Sequence, residues 1–394
     1  MNLMRLFSRV GTALLLCGTA VAATAAGVSD HEIVLGTHID LSGPAAPGMP
    51  MLRYGMQMRL DEANEAGGVN GRKFRLIVED NGSQPQQAVR ATQKLIRKDG
   101  VFAIVNPFGS GTNAAAVKIA IDAGVIYFAP WAAAAVLHKV AGNSPLLFTT
   151  TPDYDTTSAS AVSWAAKNWG SKKVGLIYQE GPYGDLVKKG LKAGMDPHGL
   201  AIVAEAGYKA GDIDFSSHVA RMKNANVDLL IVAGITREPI TIMTEVKKLG
   251  WSTVKVLGMS PVRQVTVADL GKQAVEGMYA VGMNKVHYLD TETDPVVKKW
   301  ADEYRKRFKI DPDGNAMSAY FFTDWFVQGV KAAGRDLDAS KVVKELQRAT
   351  FEDFVRFSKV SFKDNHLVPE LIEIEQIKNG RWVALTNPFT GIVK

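Results

Sequence analysis

The chain has 394 residues, 46% of them hydrophobic, and its 46 lysines and arginines stand against 40 acids for a formal charge of +6. That length suffices for two ordinary cores. The charge is modest, and lysines and acids alternate along the predicted helices, which describes a solvated surface rather than a nucleic-acid-binding face. Cys17 is the single cysteine, so no disulfide can form within the chain.

Residues 1–26 read as a secretory leader. Arg5 and Arg9 precede an apolar run from 10 to 23, and Ala23-Thr24-Ala25, or the frame one residue later, supplies the small-x-small cleavage pattern. A lipid-anchored alternative would use Cys17, but that residue follows Leu16, where such signals carry a small side chain. No later run approaches the roughly 20 apolar residues of a membrane helix.

The rest alternates strand and helix. The β-branched run 33–37 is a buried strand. The loop Leu41-Ser42-Gly43-Pro44 follows, then a helix on which Leu52, Met56, Leu60 and Ala63 share one face while Arg59, Asp61, Glu62 and Glu65 face water. Gly67-Gly68 ends it, Asn70-Gly71 turns, and 74–78 is a second strand, completing a βαβ unit. Helix 85–98, strand 101–105, helix 113–122 and strands 125–128 and 146–149 continue the series. From Pro152 the pattern restarts, with helices at 155–169, 184–195, 215–223 and 239–249 and strands at 174–178, 201–205, 229–233 and 254–258. A strand at 277–281 and helices at 295–308, 316–333 and 342–349 follow. Segments 357–362, 370–377 and 382–385 alternate like antiparallel strands. Two successive α/β runs predict two similar lobes, each a mostly parallel sheet flanked by helices, with ligands expected at the carboxyl ends of the strands.

Between strand 101–105 and helix 113–122 lies Asn106-Pro107-Phe108-Gly109-Ser110-Gly111-Thr112. Backbone N–H groups of Ser110, Gly111 and Thr112 at a helix start can converge on an anion, with the Ser110 hydroxyl beside them. The competing reading is a plain Gly/Ser connection capped by Thr112. The same stretch fits GxGxxA, but Asn-Pro-Phe separates it from its strand and no acid closes the next strand, which argues against a dinucleotide cofactor. The seven histidines are scattered. There is no HExxH, GxSxG or Walker loop, and the leader takes the cysteine with it. An enzyme, a cofactor and a metal are therefore not expected. An exported α/β hydrolase would need a base for Ser110 that the sequence does not show, and a cytoplasmic ligand sensor would lack the leader.

Leu41-Ser42-Gly43-Pro44, NEAGGVNGRK at 64–73 and LIVEDNGSQPQQAV at 76–89 resemble the amino end of leucine/isoleucine/valine-type solute-binding proteins, the extracytoplasmic receptors of ABC importers. The resemblance continues along most of the chain. It implies a two-lobed type I periplasmic-binding-protein fold in the periplasm, monomeric, partnered by a membrane ABC permease, without nucleic acid and without enzymatic activity. It places the chain crossings near Thr151, Asn284 and Pro369, hence one lobe from 27–150 and 284–368 and the other from 151–283 and 369–394.

The resemblance also assigns roles. Ser110, with Gly111 and Phe108 beside it, takes the position of the family's ligand-carboxylate serine. Ala129-Pro130-Trp131-Ala132-Ala133 matches the second ligand loop, with Ala133 at the family's threonine and Trp131 at a usually small residue, either a flat apolar wall or a half-buried core aromatic. Tyr183 matches the tyrosine that closes over the ligand. Tyr320 matches a position near it, or is a core contact. Ile235 and Ser260 stand where the amino-acid binders carry a tyrosine and a glutamate. That glutamate pairs with the α-ammonium, and an unpaired charge in a closed cleft costs on the order of 3–5 kcal/mol, or roughly two to four decades of affinity. The expected ligand is accordingly a small carboxylate with an apolar body, an aromatic acid or a branched-chain oxo acid, with a branched-chain amino acid or amide as the alternative. Arg237 and Arg263 either hold a second polar group or are surface ion-pair arginines. His38 and Asp40 end the first strand on the cleft side and can line the pocket.

Overall fold

A computed structural model describes residues 26–393; the leader expected over 1–26 lies outside them but for Ala26. The first half builds a five-stranded, all-parallel sheet from β1 (Glu32–Ile39), β2 (Lys73–Asp80), β3 (Ala103–Val105), β4 (Ile126–Phe128) and β5 (Leu147–Phe148), in the order β2-β1-β3-β4-β5. The connecting helices are α1 (Met49–Glu65), α2 (Pro85–Arg97), α3 (Ser110–Asp122) and α4 (Ala134–Val140). β1 is buried from Ile33 onward because helices cover both faces of the sheet. Leu52, Met56, Leu60 and Ala63 are all buried, as their spacing on α1 requires.

The second sheet takes β6 (Val174–Gln179), β7 (Ile202–Tyr208), β8 (Leu229–Ala233), β9 (Lys255–Gly258) and β10 (Tyr279–Gly282), interleaved with α5 (Tyr154–Trp169), α6 (Pro182–Met195), α7 (Ser216–Asn224), α8 (Arg237–Lys248) and α9 (Val265–Gly271). The chain then runs through α10 (Pro295–Phe308), α11 (Gly314–Ala333) and α12 (Ala339–Arg348). A small antiparallel sheet of β11 (Thr350–Phe351), β12 (Val360–Lys363) and β13 (His366–Val368) follows. Finally β14 (Glu373–Lys378) and β15 (Arg381–Ala384) join β10 antiparallel, giving the order β15-β14-β10-β9-β8-β6-β7. The second sheet also carries an apolar core on each face.

Two helices fall outside the sequence expectation, α4 and α9, each seven residues with no capping side chain on its own N-cap residue. The tail is a hairpin more than expected: β12 turns into β13 through Asp364 and Asn365, both with positive φ, the turn geometry that suits the twist of paired strands.

Three segments join the two large sheets, after β5, after β10 and after β13. Arg356 reaches the first two: its guanidinium donates to Asn284 Oδ1 at 2.7 Å and to the Thr150 carbonyl at 3.1 Å. Pro152, Met283 and Pro369, one from each segment, meet around a small hollow that Arg356 also lines. The structure thus has two lobes on a three-segment hinge.

Candidate ligand-binding cleft

The loops after β3 and β4 extend the sheet's pairing past the strand ends. Trp131 N–H donates to the Pro107 carbonyl at 2.8 Å, Gly109 N–H donates to the Trp131 carbonyl at 3.1 Å, and Phe108 bridges Trp131 in parallel. Gly109, at φ +99°, turns the chain into α3, whose first residue is Ser110. The first-turn N–H groups of α3 have no intrahelical acceptor by geometry. Ala133 N–H donates to Ser110 Oγ at 2.9 Å, so the hydroxyl keeps its proton for another acceptor. Thr112 does not cap α3 from outside; its hydroxyl donates back to the Gly109 carbonyl at 2.9 Å and to the Phe108 carbonyl.

Beneath this loop lies a buried polar chain. Asn81 Nδ2 donates to His38 Nδ1 at 3.1 Å, which leaves Nε2–H to donate to Tyr127 Oη at 2.9 Å. The Tyr127 hydroxyl donates to Asn113 Oδ1, and Asn113 Nδ2 donates to the carbonyls of Gly109 at 2.8 Å and Pro107 at 3.1 Å. His38 is fully buried, and desolvation pushes its pKa down from 6.5 to about 3, so it is neutral and serves the loop from below. It does not line the cleft. Asp40 likewise turns inward, accepting the N–H groups of Gly43 and Ala45 and the Ser83 hydroxyl.

In the second lobe the loops after β6, β8 and β9 are neighbours, because those strands are adjacent. The first leads into Tyr183 in the opening turn of α6, and the other two carry Ile235 and Ser260. Tyr183 is 6% exposed, its hydroxyl donates to the Ser260 carbonyl at 2.9 Å, and its ring meets Tyr154 edge-on at 4.8 Å. Burial pushes the hydroxyl's pKa well up, and Tyr154, Tyr208 and Glu238 push it further. Ala133 of the first lobe belongs to the same apolar cluster as Tyr154 and Tyr183, and α3 touches α6. The structure therefore brings Ser110, Gly111, Phe108, Trp131 and Ala133 to one side of a junction whose other side holds Tyr183, Ile235 and Ser260.

Trp131 is half-buried; its Nε1–H donates to Asn106 Oδ1 at 3.1 Å and its ring lies 5.8 Å from that of Phe322. Three expected residues go elsewhere. Tyr320, on α11, spends its hydroxyl on Glu62 Oε2 of α1 at 2.6 Å and packs edge-on against Trp300 of α10. Arg263, whose side chain is 9% exposed, stands 3.1 Å from Glu375 and donates to the Asn284 carbonyl, so it belongs to the hinge. Arg237 is exposed on the first turn of α8.

Two residues the sequence reading missed matter here. Asn106 links Trp131 to Thr323 on α11 at 3.1 Å. Glu238, in the first turn of α8, is a buried carboxylate whose Oε2 accepts the Ile235 N–H at 3.1 Å. Its place three residues past a loop residue was the available signal, since an acid there reads as a helix-start cap.

Residues 32–381 match the family model of the periplasmic binding proteins. The chain belongs to that family. It is of the branched-chain amino acid type, and the family's members are solute-binding receptors of ABC transporters. The leucine-, isoleucine-, valine-, threonine- and alanine-binding protein of Pseudomonas aeruginosa is 26% identical over 346 residues, 88% of this chain and 89% of that one. The branched-chain amino acid binding protein LivJ of Streptococcus pneumoniae, solved with isoleucine, superposes with a TM-score of 0.78 at 23% identity, covering 91% of this chain and 100% of that one. A solute-binding protein of R. palustris solved with benzoate gives 0.79 at 20% identity, covering 90% and 95%. A periplasmic binding protein works outside the cytoplasm, and no helix among the described residues is long and apolar enough to cross a membrane.

Proposed function

We propose that this periplasmic binding protein captures a small organic carboxylate with an apolar body, an aromatic acid or a branched-chain oxo acid, and delivers it to a membrane ABC permease. Its lobes, 27–150 with 284–368 and 151–283 with 369–394, close on the ligand about the three connecting segments, and it works as a monomer. The head group would sit at the start of α3, on the N–H groups of Ser110 and Gly111 and the Ser110 hydroxyl. Trp131 would form one wall, Tyr183 and Ile235 the other.

One observation carries this reading. The positions at which the resembled amino-acid binders carry a tyrosine and the glutamate that pairs with the ammonium are Ile235 and Ser260, and Ser260 uses its carbonyl on Tyr183. A zwitterion would bring a positive charge with no acid at the expected place. The same fold serves the benzoate-bound R. palustris protein, so the architecture accommodates an aromatic acid.

A second reading rests on Glu238. This buried acid lies close enough to raise the pKa of Tyr183, and it would be the ammonium's partner if the ligand were a branched-chain amino acid, as the name of the P. aeruginosa relative says of that protein. A calorimetric comparison of leucine with its oxo acid decides between them. Oxo acid binding at least tenfold tighter than leucine supports the first reading. Leucine binding tighter, and losing its advantage in Glu238→Gln, overturns it.

A further inference from the structure

The hinge holds a group of side chains that ligand capture does not use. His366 at the start of β13, Glu370 just after it and Asp153 just before α5 place one ligand atom each within 4.8 Å of the others. Glu370 Oε1 is in contact with His366 Nε2 and also accepts the Asp153 N–H at 3.1 Å. Asp153 Oδ1 accepts the Ala135 N–H at 3.0 Å, which fixes the carboxylate's orientation. The other ring nitrogen of His366 is taken: Nδ1 lies 2.7 Å from Thr149 Oγ1, which lies 2.8 Å from His138 Nε2.

Thr149 has one proton to give, so this relay runs in one of two senses. If Thr149 donates to His366 Nδ1, then Nε2 carries the hydrogen and donates it to Glu370, and the cluster is self-contained. If His366 donates from Nδ1 and Thr149 donates to His138, the Nε2 lone pair points at two carboxylates. That second arrangement is how a metal-ligating imidazole is held, with its far nitrogen donating to an oriented oxygen. His138 Nε2, 2.8 Å from Thr149 Oγ1, is placed to take the acceptor's part.

We propose that His366 Nε2, Glu370 and Asp153 form a binding site for a divalent transition cation of zinc's class, completed by water. One imidazole and two carboxylates are nitrogen and oxygen donors suited to Zn²⁺ in a four-coordinate site, and too few oxygens for Ca²⁺. The site would join the first connecting segment, where Asp153 follows β5, to the third, where Glu370 follows β13. The cation would therefore stiffen the hinge rather than touch the organic ligand, and the proposal does not depend on what that ligand is.

The test uses the untagged, exported chain in chelator-treated buffer, with zinc titrated against a chromophoric chelator and Co²⁺ as a spectroscopic substitute. One equivalent should bind, Co²⁺ should give the intense visible bands of a low-coordinate site, and Zn²⁺ but not Mg²⁺ should raise the unfolding temperature. His366→Gln and Asp153→Asn should each weaken zinc binding by more than about 100-fold, and Thr149→Val by about 10–100-fold through the lost orientation. His287→Gln, at a histidine occupied on both ring nitrogens by Glu292 and the Phe354 carbonyl, should leave binding unchanged. No stoichiometric zinc on the unmodified protein overturns the proposal, and so does uptake that His366→Gln and Asp153→Asn leave intact. Where a variant does not fold, an unfolding temperature of the unmodified protein that is the same in Zn²⁺ and in chelator overturns it alone.

Discussion

Ser110 and Ala133 are joined across two loops, the Ala133 N–H donating to Ser110 Oγ at 2.9 Å. The bond fixes the hydroxyl as an acceptor on one side and so leaves its proton to be donated on the other. Ser110→Ala should weaken carboxylate binding by about 1–3 kcal/mol, a loss of roughly 5- to 150-fold by titration calorimetry. The variant also leaves a buried N–H on Ala133 without its partner, so the ligand-free protein should unfold earlier. Unchanged affinity would remove Ser110 from the site even if the stability loss were seen.

Trp131 is held by Asn106 at its indole nitrogen and lies against Phe322, with part of its face still open. An apolar ligand body arriving on that face would change the ring's surroundings. Intrinsic fluorescence should therefore shift on adding an aromatic or branched acid, and Trp131→Phe should abolish most of the shift although six other tryptophans remain. A shift that survives in Trp131→Phe would place the ligand elsewhere.

His38 makes the first lobe sensitive to acid. Its pKa is about 3 in the folded chain against 6.5 when unperturbed. Between those values the unfolded chain holds the extra proton, so stability rises with pH across the window and falls as pH drops through it. At about 1.4 kcal/mol per pH unit, going from pH 7 to pH 4.5 should cost roughly 3 kcal/mol from this group alone. His38→Gln should be less stable at pH 7 yet lose about one proton from the pH slope of its unfolding free energy. A parent and variant with parallel slopes would sink the assignment.

Much of this architecture was legible because burial writes itself into spacing. The α1 face of Leu52, Met56, Leu60 and Ala63 and the unbroken apolar run of β1 needed only period and β-branching to be read. The short elements did not announce themselves: α4 and α9 are seven residues each with no capping side chain at the residue before them, and the side chain that does cap the first turn of α4, Asp153, comes from 18 residues further along the chain. At the site, the Ser110 loop was visible as a strand-to-helix turn. His38 at the end of β1 looks the same whether it faces the cleft or Tyr127, because strand position fixes the face and not the partner. For Arg263 and Tyr320 the sequence left an ion-pair or core reading beside the ligand one for the same reason, since Glu375 and Glu62 reach them only through tertiary packing.

Gly55 sets the distance between α1 and α11. A Cβ there would stand 2.2 Å from the Ala316 carbonyl oxygen, a backbone atom that cannot swing aside. Gly55→Ala should therefore destabilise by about 3 kcal/mol despite the better helix propensity of alanine. Gly48→Ala, where an added Cβ meets nothing within 4 Å, is the control and should be neutral within about 0.5 kcal/mol. Equal denaturant midpoints for the two variants would show that the helices separate freely.

Arg356 is the cation on which two connecting segments converge, and it is 7% exposed. Besides its bonds to Asn284 and Thr150, its guanidinium lies 4.9 Å from the centre of the Phe322 ring. Burial lowers its pKa to about 10 while Asp353 opposes the shift, so it is charged at neutral pH. Asn284 meanwhile gives its carbonyl to Arg263 and its amide to Ser318 at 3.4 Å, which makes it the node through which both arginines act. Arg356→Ala leaves the Thr150 carbonyl and Asn284 Oδ1 without their donor and removes the cation that favours the Asp353 carboxylate, and should cost about 3–5 kcal/mol. Arg356→Lys keeps the charge but cannot present two parallel donors, so it should recover less than half of that loss. The functional consequence is separable from the stability loss. With two segments no longer cross-linked, the ligand-free variant should sample wider lobe separations, seen by small-angle scattering as a larger radius of gyration that saturating ligand reverses. A variant that unfolds at the parent's denaturant midpoint and scatters identically would show that the hinge is held by its backbone alone.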